Sequence, residues 1–129
     1  YRHALALAAG GAAGEALDRL LSSLRDDGGH VPSRQLAARL LVEQGRREEA
    51  MALLAEGLAA QPGQVQWAMS LARLQVDHGD LGAAARTLQA SRSFASANPE
   101  YLGFAGFVAH RLGEQESAVE LYQSAARIA

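Results

Sequence analysis

Residues 45–54 read Gly45-Arg46-Arg47-Glu48-Glu49-Ala50-Met51-Ala52-Leu53-Leu54, and the pattern of this stretch decides the fold. Gly45 is followed five residues on by Ala50, and four further on by Leu54. The same three positions recur as Gly79, Ala84 and Leu88, and again as Gly113, Ala118 and Tyr122, each step being 34 residues. One step upstream the offsets fit Gly11, Ala16 and Leu20. Four registers at one period mark an internal repeat, long enough to hold one helix-turn-helix unit each.

The physical reading of the repeat starts at its glycine. Gly tolerates the left-handed backbone that ends a helix, so it marks the turn between two helices. The small Ala five residues later lets the second helix cross close to the first, and the bulky residue one turn beyond fills the groove between them. Asp26-Asp27-Gly28-Gly29 before Val31-Pro32, then Pro62-Gly63 and Asn98-Pro99, punctuate the repeat boundaries. Helices are expected over 1–9, 13–26, 32–44, 47–59, 64–78, 81–93, 98–112 and 115–128, eight in all. Ser96 stands where the second full repeat would have its boundary Pro, so the helix over 81–93 is expected to run on toward Phe94.

Composition agrees with an all-α chain. Of 129 residues, 28 are Ala and 19 Leu, whereas aromatics make up only 5%. Ala and Leu are strong helix formers, and β-branched and aromatic residues favour strands, so an all-β fold is excluded. All 12 basic residues are Arg, and Asn and Ile occur once each, a pattern of GC-rich coding that points to a bacterial source. The formal net charge of −2 disfavours a nucleic-acid binder held by a broad basic field. Without Cys there is no thiolate nucleophile, disulfide or Cys-based zinc site. No apolar run is long enough to span a membrane. The chain opens at Tyr1 and stops at Ala129 within an expected helix, which reads as a piece of a longer protein.

Catalysis finds little support. His3, His30, His78 and His110 form no metal-binding pair, and His78 and His110 read as polar residues near helix ends. Gly10-Gly11-Ala12-Ala13-Gly14 has neither the preceding strand nor the following Lys of a phosphate loop. Glu48 and Glu49 open a second helix, where negative charge suits the helix dipole. No catalytic residue, cofactor or metal is expected.

The 34-residue period, with Gly-x4-Ala-x3-(Leu/Tyr) and a Pro after the second helix, resembles the tetratricopeptide repeat (TPR). The likeness covers nearly the whole chain as one domain: a partial repeat at 1–30, full repeats at 31–64 and 65–98, and a nearly full one at 99–129. It is weaker in the first helices. The family's Trp position holds Arg34, Ala68 and Leu102, and its first-helix Gly position holds Ala38, Ala72 and Gly106. The resemblance implies an α-α superhelix whose function is to bind a protein or peptide segment in a concave groove.

The groove positions of the family, carried onto this chain, are Gln35, Met69 and Gly103; Arg39, Arg73 and Phe107; Val42, Val76 and His110; Glu43, Asp77 and Arg111. The expected contact set is Gln35, Arg39, Val42, Met69, Arg73, Val76, Phe107, His110 and Arg111. Arg39 and Arg73 have two readings: they grip a partner carboxylate, or they bridge to Glu43 and Asp77 at i,i+4. Met69, Phe104 and Phe107 supply an apolar floor. One of Tyr101, Phe104 and Phe107 is expected to pack against Tyr122, and Trp67 to pack in the core. The Lys/Asn carboxylate clamp of chaperone-binding TPR domains is not matched, since the chain has no Lys.

A narrower likeness joins Leu71-Ala72-Arg73-Leu74-Gln75-Val76, Tyr101-Leu102-Gly103-Phe104-Ala105 and Ala118-Val119-Glu120-Leu121-Tyr122 to TPR regions of bacterial pilus-assembly proteins, the MSHA-type family in particular. It implies a scaffold in an envelope machine, on the periplasmic side of an inner-membrane anchor. The alternative is a regulatory module joined to a catalytic domain elsewhere in a longer chain. Leu5 and Leu7 at one end and Leu121 and Ile128 at the other lack a polar capping helix, so self-association through the repeat ends is expected.

Overall fold

The computed structural model describes residues 13–26 and 31–128. Among them the chain forms α1 (Ala13–Asp26), α2 (Val31–Glu43), α3 (Arg47–Ala60), α4 (Val65–Asp77), α5 (Leu81–Ser91), α6 (Pro99–Arg111) and α7 (Gln115–Ile128). No strand occurs among the described residues. Seven of the eight expected helices are thus present, and the eighth, at 1–9, lies outside the described residues. The fold is the all-α helix-turn-helix repeat.

Three turns repeat one another in detail. Gly45, Gly79 and Gly113 carry φ of 77°, 87° and 82°, and no non-Gly described residue has a positive φ. At each, two hydrogen bonds close the helix. The Gly45 amide donates to the Val42 carbonyl and the Arg46 amide to that of Leu41, at 2.9 and 2.8 Å. Gly79 and Asp80 repeat this with Val76 and Gln75, and Gly113 and Glu114 with His110 and Ala109. This is the Schellman closure, which needs its left-handed residue where the sequence has Gly.

The chain divides into two units, 1–61 and 62–129. In the first, α2 packs on both α1 and α3. Ala16, Leu20, Ala50 and Leu54 are all buried, as the repeat register requires. Arg34, in the family's Trp position, is buried too. Its guanidinium donates to the Leu53 carbonyl at 2.5 Å, so a charged group stands where an aromatic ring was the norm.

In the second unit, α4 pairs with α5 and α6 with α7, while α6 also packs on α5 and α4. Leu88, Tyr101, Leu102, Val108 and Leu121 anchor a core closed by small residues at Ala72, Ala84, Ala105 and Ala118. Tyr101 is the aromatic of the trio that the core takes, and its hydroxyl donates to the Leu88 carbonyl. Burial pushes its phenol above the ordinary value of 10.0, against weaker opposing effects of a Ser91 hydrogen bond and the Arg92 charge. Trp67 is fully buried. Tyr122 behaves differently from Leu54 and Leu88: it stays 44% exposed, and its ring lies against Gly106.

Two expectations need correction. The helix over 81–93 ends at Ser91, and the chain continues to Phe94 as a 3-10 turn. Asn98 then accepts from the Tyr101 amide at 3.1 Å, with Pro99 opening α6, so the Asn-Pro pair restarts the helix despite Ser96. Leu121 is not a sticky end but a core residue; the large apolar side chains that α7 exposes are Val119, Tyr122 and Ile128. Leu5 and Leu7 lie outside the described residues.

Candidate functional site

The expected contact residues fall on the first helix of each repeat, so they are taken unit by unit. In the first unit, Gln35 is half-buried, and its Oε1 is buried without a hydrogen-bond partner among the described residues. Arg39 is exposed and held by Glu43 on its own helix at 3.8 Å, and Val42 beside it is half-buried. A 3.8 Å pair between two side chains each more than half exposed contributes little, about 0.5 kcal/mol or less.

The second unit brings more together. Met69 and Val76 lie half-buried against the core, on α4. Arg73, between them, makes no ion pair with Asp77 or any other described residue, contrary to the bridge that i,i+4 spacing allows. Its guanidinium instead lies over the Phe104 ring of α6, 5.5 Å from the centroid. Phe104 stacks on Phe107, with centroids 6.3 Å apart and planes 13° from parallel. Phe107 in turn carries the Arg111 guanidinium at 5.7 Å. Arg73, Phe104, Phe107 and Arg111 therefore form a continuous ladder across two helices.

The reason lies in helix geometry. Residues three and four apart share a face, so Phe104, Phe107 and Arg111 line up on α6, and the packing of α4 on α6 adds Arg73. At an exposed site a guanidinium over an aromatic face gains about 0.5–1 kcal/mol, on a par with a surface ion pair, so the ring competes on equal terms with Asp77 for Arg73. His110, at the edge of this face, is exposed and meets the Gln115 side chain at 3.2 Å. Gly103, one turn before Phe107, is flanked by open space: a Cβ there would touch nothing within 4 Å.

Sequence reasoning placed Phe104 and Phe107 as an apolar floor but not the cation–π contacts that join them to Arg73 and Arg111. The Arg73 contact spans two helices 31 positions apart in sequence, and no local spacing signals it. A concavity of about 110 Å³ lies among α5, α6 and α7, floored by Leu88, Tyr101 and Val108 with Arg92 and Glu114 at its lining. No group of three or more metal-ligating side chains occurs among the described residues. No helix among them is long and apolar enough to cross a membrane.

Helix pairs repeated in register, with apolar and cationic side chains displayed on their first helices, define a helical-repeat interaction module. The tetratricopeptide repeat model matches residues 7–74, more than half the chain. The chain belongs to the tetratricopeptide repeat family. Among solved structures it is similar to MamA: a double mutant of the RS-1 protein (18% identity, TM-score 0.80, 99% of this chain and 72% of that one). MamA 41-end from Desulfovibrio magneticus RS-1 aligns with 18% identity and TM-score 0.77, over 99% of this chain and 72% of that one. Another MamA crystal structure gives 17% identity and TM-score 0.79, over 97% and 68%. At such identities the likeness establishes the fold. No curated protein matches the chain in sequence.

Proposed function

We propose that this chain is a scaffold or adaptor that holds a segment of a partner protein on the exposed faces of its first helices. Membership of a protein-interaction repeat family supports the class. The observation that carries the reading is the ladder of Arg73, Phe104, Phe107 and Arg111, in which large apolar and cationic groups stay at the surface. Aromatic and Arg side chains are the residues that dominate protein interfaces. In the first unit, Gln35, Arg39 and Val42 stand at the positions that Met69, Arg73 and Val76 hold one repeat later. The process we favour is assembly of a bacterial envelope machine of the type IV pilus kind, on the resemblance carried by the stretches 71–76, 101–105 and 118–122.

Site-specific photo-crosslinking tests this. A benzophenone amino acid is placed at Gln35, Arg73 or Phe107, and at the exposed second-helix positions Ala52, Gln89 and Gln123 as controls. In the native cell, the first-helix positions are expected to capture a common partner and the controls not. Capture at the controls alone, or equally at both sets, overturns the binding face. A partner outside pilus assembly overturns the proposed process.

A further inference from the structure

We propose that the Arg73–Phe104–Phe107–Arg111 ladder is a track for an acidic, apolar peptide, one that brings two apolar side chains bracketed by carboxylates. The inference rests on the scaffold reading and adds the chemistry of the partner.

Charge state comes first. Among the described residues, Arg19, Arg39 and Arg46 each pair with a Glu on or beside their own helix. Arg73 and Arg111 pair with none, although Asp77 is only one turn from Arg73. Each guanidinium lies over a ring, and neither has an ion-pair or hydrogen-bond partner among the described residues, so the N–H donors are free. Those donors match a carboxylate in bidentate geometry. Two preoriented cations without internal anions are complementary to two external carboxylates.

Spacing comes second. The rungs are 5.5, 6.3 and 5.7 Å apart. In an extended strand, side chains on one face recur about every 6.8 Å, two rises of roughly 3.4 Å. That repeat exceeds each rung spacing by only about 0.5–1.3 Å, so a segment of the form acidic-x-apolar-x-apolar-x-acidic brings one side chain near each rung. Phe107 is 38% exposed and gives such a side chain an apolar contact. The open space at Gly103, one turn away, accommodates its bulk. Stacked rings flanked by Arg would also suit single-stranded nucleic acid, but a chain with 14 acidic against 12 basic residues lacks the wider basic field that a polyanion needs.

The test uses the full chain and a fluorescein-labelled synthetic peptide, Glu-Ser-Leu-Ser-Leu-Ser-Glu, read by fluorescence anisotropy. A Lys-for-Glu version and oligouridylate serve as competitors. The Glu peptide is expected to bind, and the Lys peptide about tenfold more weakly or not at all, a difference of about 1.4 kcal/mol. The double variant Arg73→Glu, Arg111→Glu is expected to reverse this preference, and Phe107→Ala to weaken both peptides with unchanged helical circular dichroism. Should the reversal variant not fold, Arg73→Gln with Arg111→Gln is expected to abolish the preference for acid. Equal binding of both peptides, an unchanged preference in the Gln variant, or preferential binding of oligouridylate overturns the proposal. Cross-linking of a partner at Arg73 without binding of the Glu peptide overturns the chemistry and leaves the scaffold reading standing.

Discussion

Gly103 and Gly106 lie one turn apart on α6, yet Ala in their places is expected to act in opposite directions. At Gly103 an added Cβ meets nothing within 4 Å, so Gly103→Ala should stabilise the protein by up to about 1 kcal/mol through helix propensity alone. At Gly106 the Cβ would stand 2.9 Å from the Tyr122 ring. The displacement of the ring costs about 1–3 kcal/mol, more than the propensity gain, so Gly106→Ala should destabilise. Thermal melts of the two variants, side by side, check both signs. Tyr101→Phe should cost about 1 kcal/mol, because the Leu88 carbonyl loses the phenol and keeps only the Ser91 hydroxyl as a side-chain donor. Since folding raises the Tyr101 phenol, the stability tied to its proton is full below pH 10.0 and lost as pH rises beyond it. Alkaline unfolding curves of the Phe variant should lack that loss. At this scale the sequence was legible only where position in the repeat implied size. Gly106 and Tyr122 could each be placed in the repeat, but not that one ring rests on the other's backbone. The burial of Arg34 had no local signal at all.

Among the elements, the turns were the most legible part of the chain, because their chemistry is local. A left-handed residue and two backbone hydrogen bonds are specified within six residues, and Gly at a fixed offset was enough to find them. Gly79→Ala is expected to cost about 1–2 kcal/mol by forcing a Cβ into that backbone region. Asp80→Ala should cost about 1 kcal/mol, since its carboxylate accepts from the Ala83 amide at 2.9 Å and caps α5. Urea unfolding of the two variants gives both numbers. The corresponding Arg46 in the first unit provides no side-chain cap and instead pairs with Glu49. That hydrogen bond holds the Glu49 carboxyl below its ordinary value, so the contribution is present at neutral pH and lost as pH falls through the lowered value. The end of α5 was less legible. The 3-10 turn follows from tertiary burial, of Ala95 at its own end and of Tyr101 in the next helix, rather than from its local residues.

For the molecule as a whole, the division at 61/62 predicts that residues 62–129, expressed alone, fold cooperatively. Their core from Ala72 to Leu121 is drawn from that unit alone. Circular dichroism at 222 nm with a sigmoidal melt is the expected result; a featureless melt would show that the unit depends on the rest of the chain. The candidate site was less legible at this scale than the fold, because the ladder arises from tertiary packing and not from any run of sequence. The three left-handed glycines carry one more consequence. Since each reversal is built from its own few residues, the chain can lose or gain 34 residues between two of them and meet the same backbone geometry at the splice. Change in length is therefore quantised, and a duplication in this register is a small step for evolution. The final helix pair resists free exchange, because its Tyr122 ring lies against Gly106, where the two preceding full repeats offer Ala38 and Ala72.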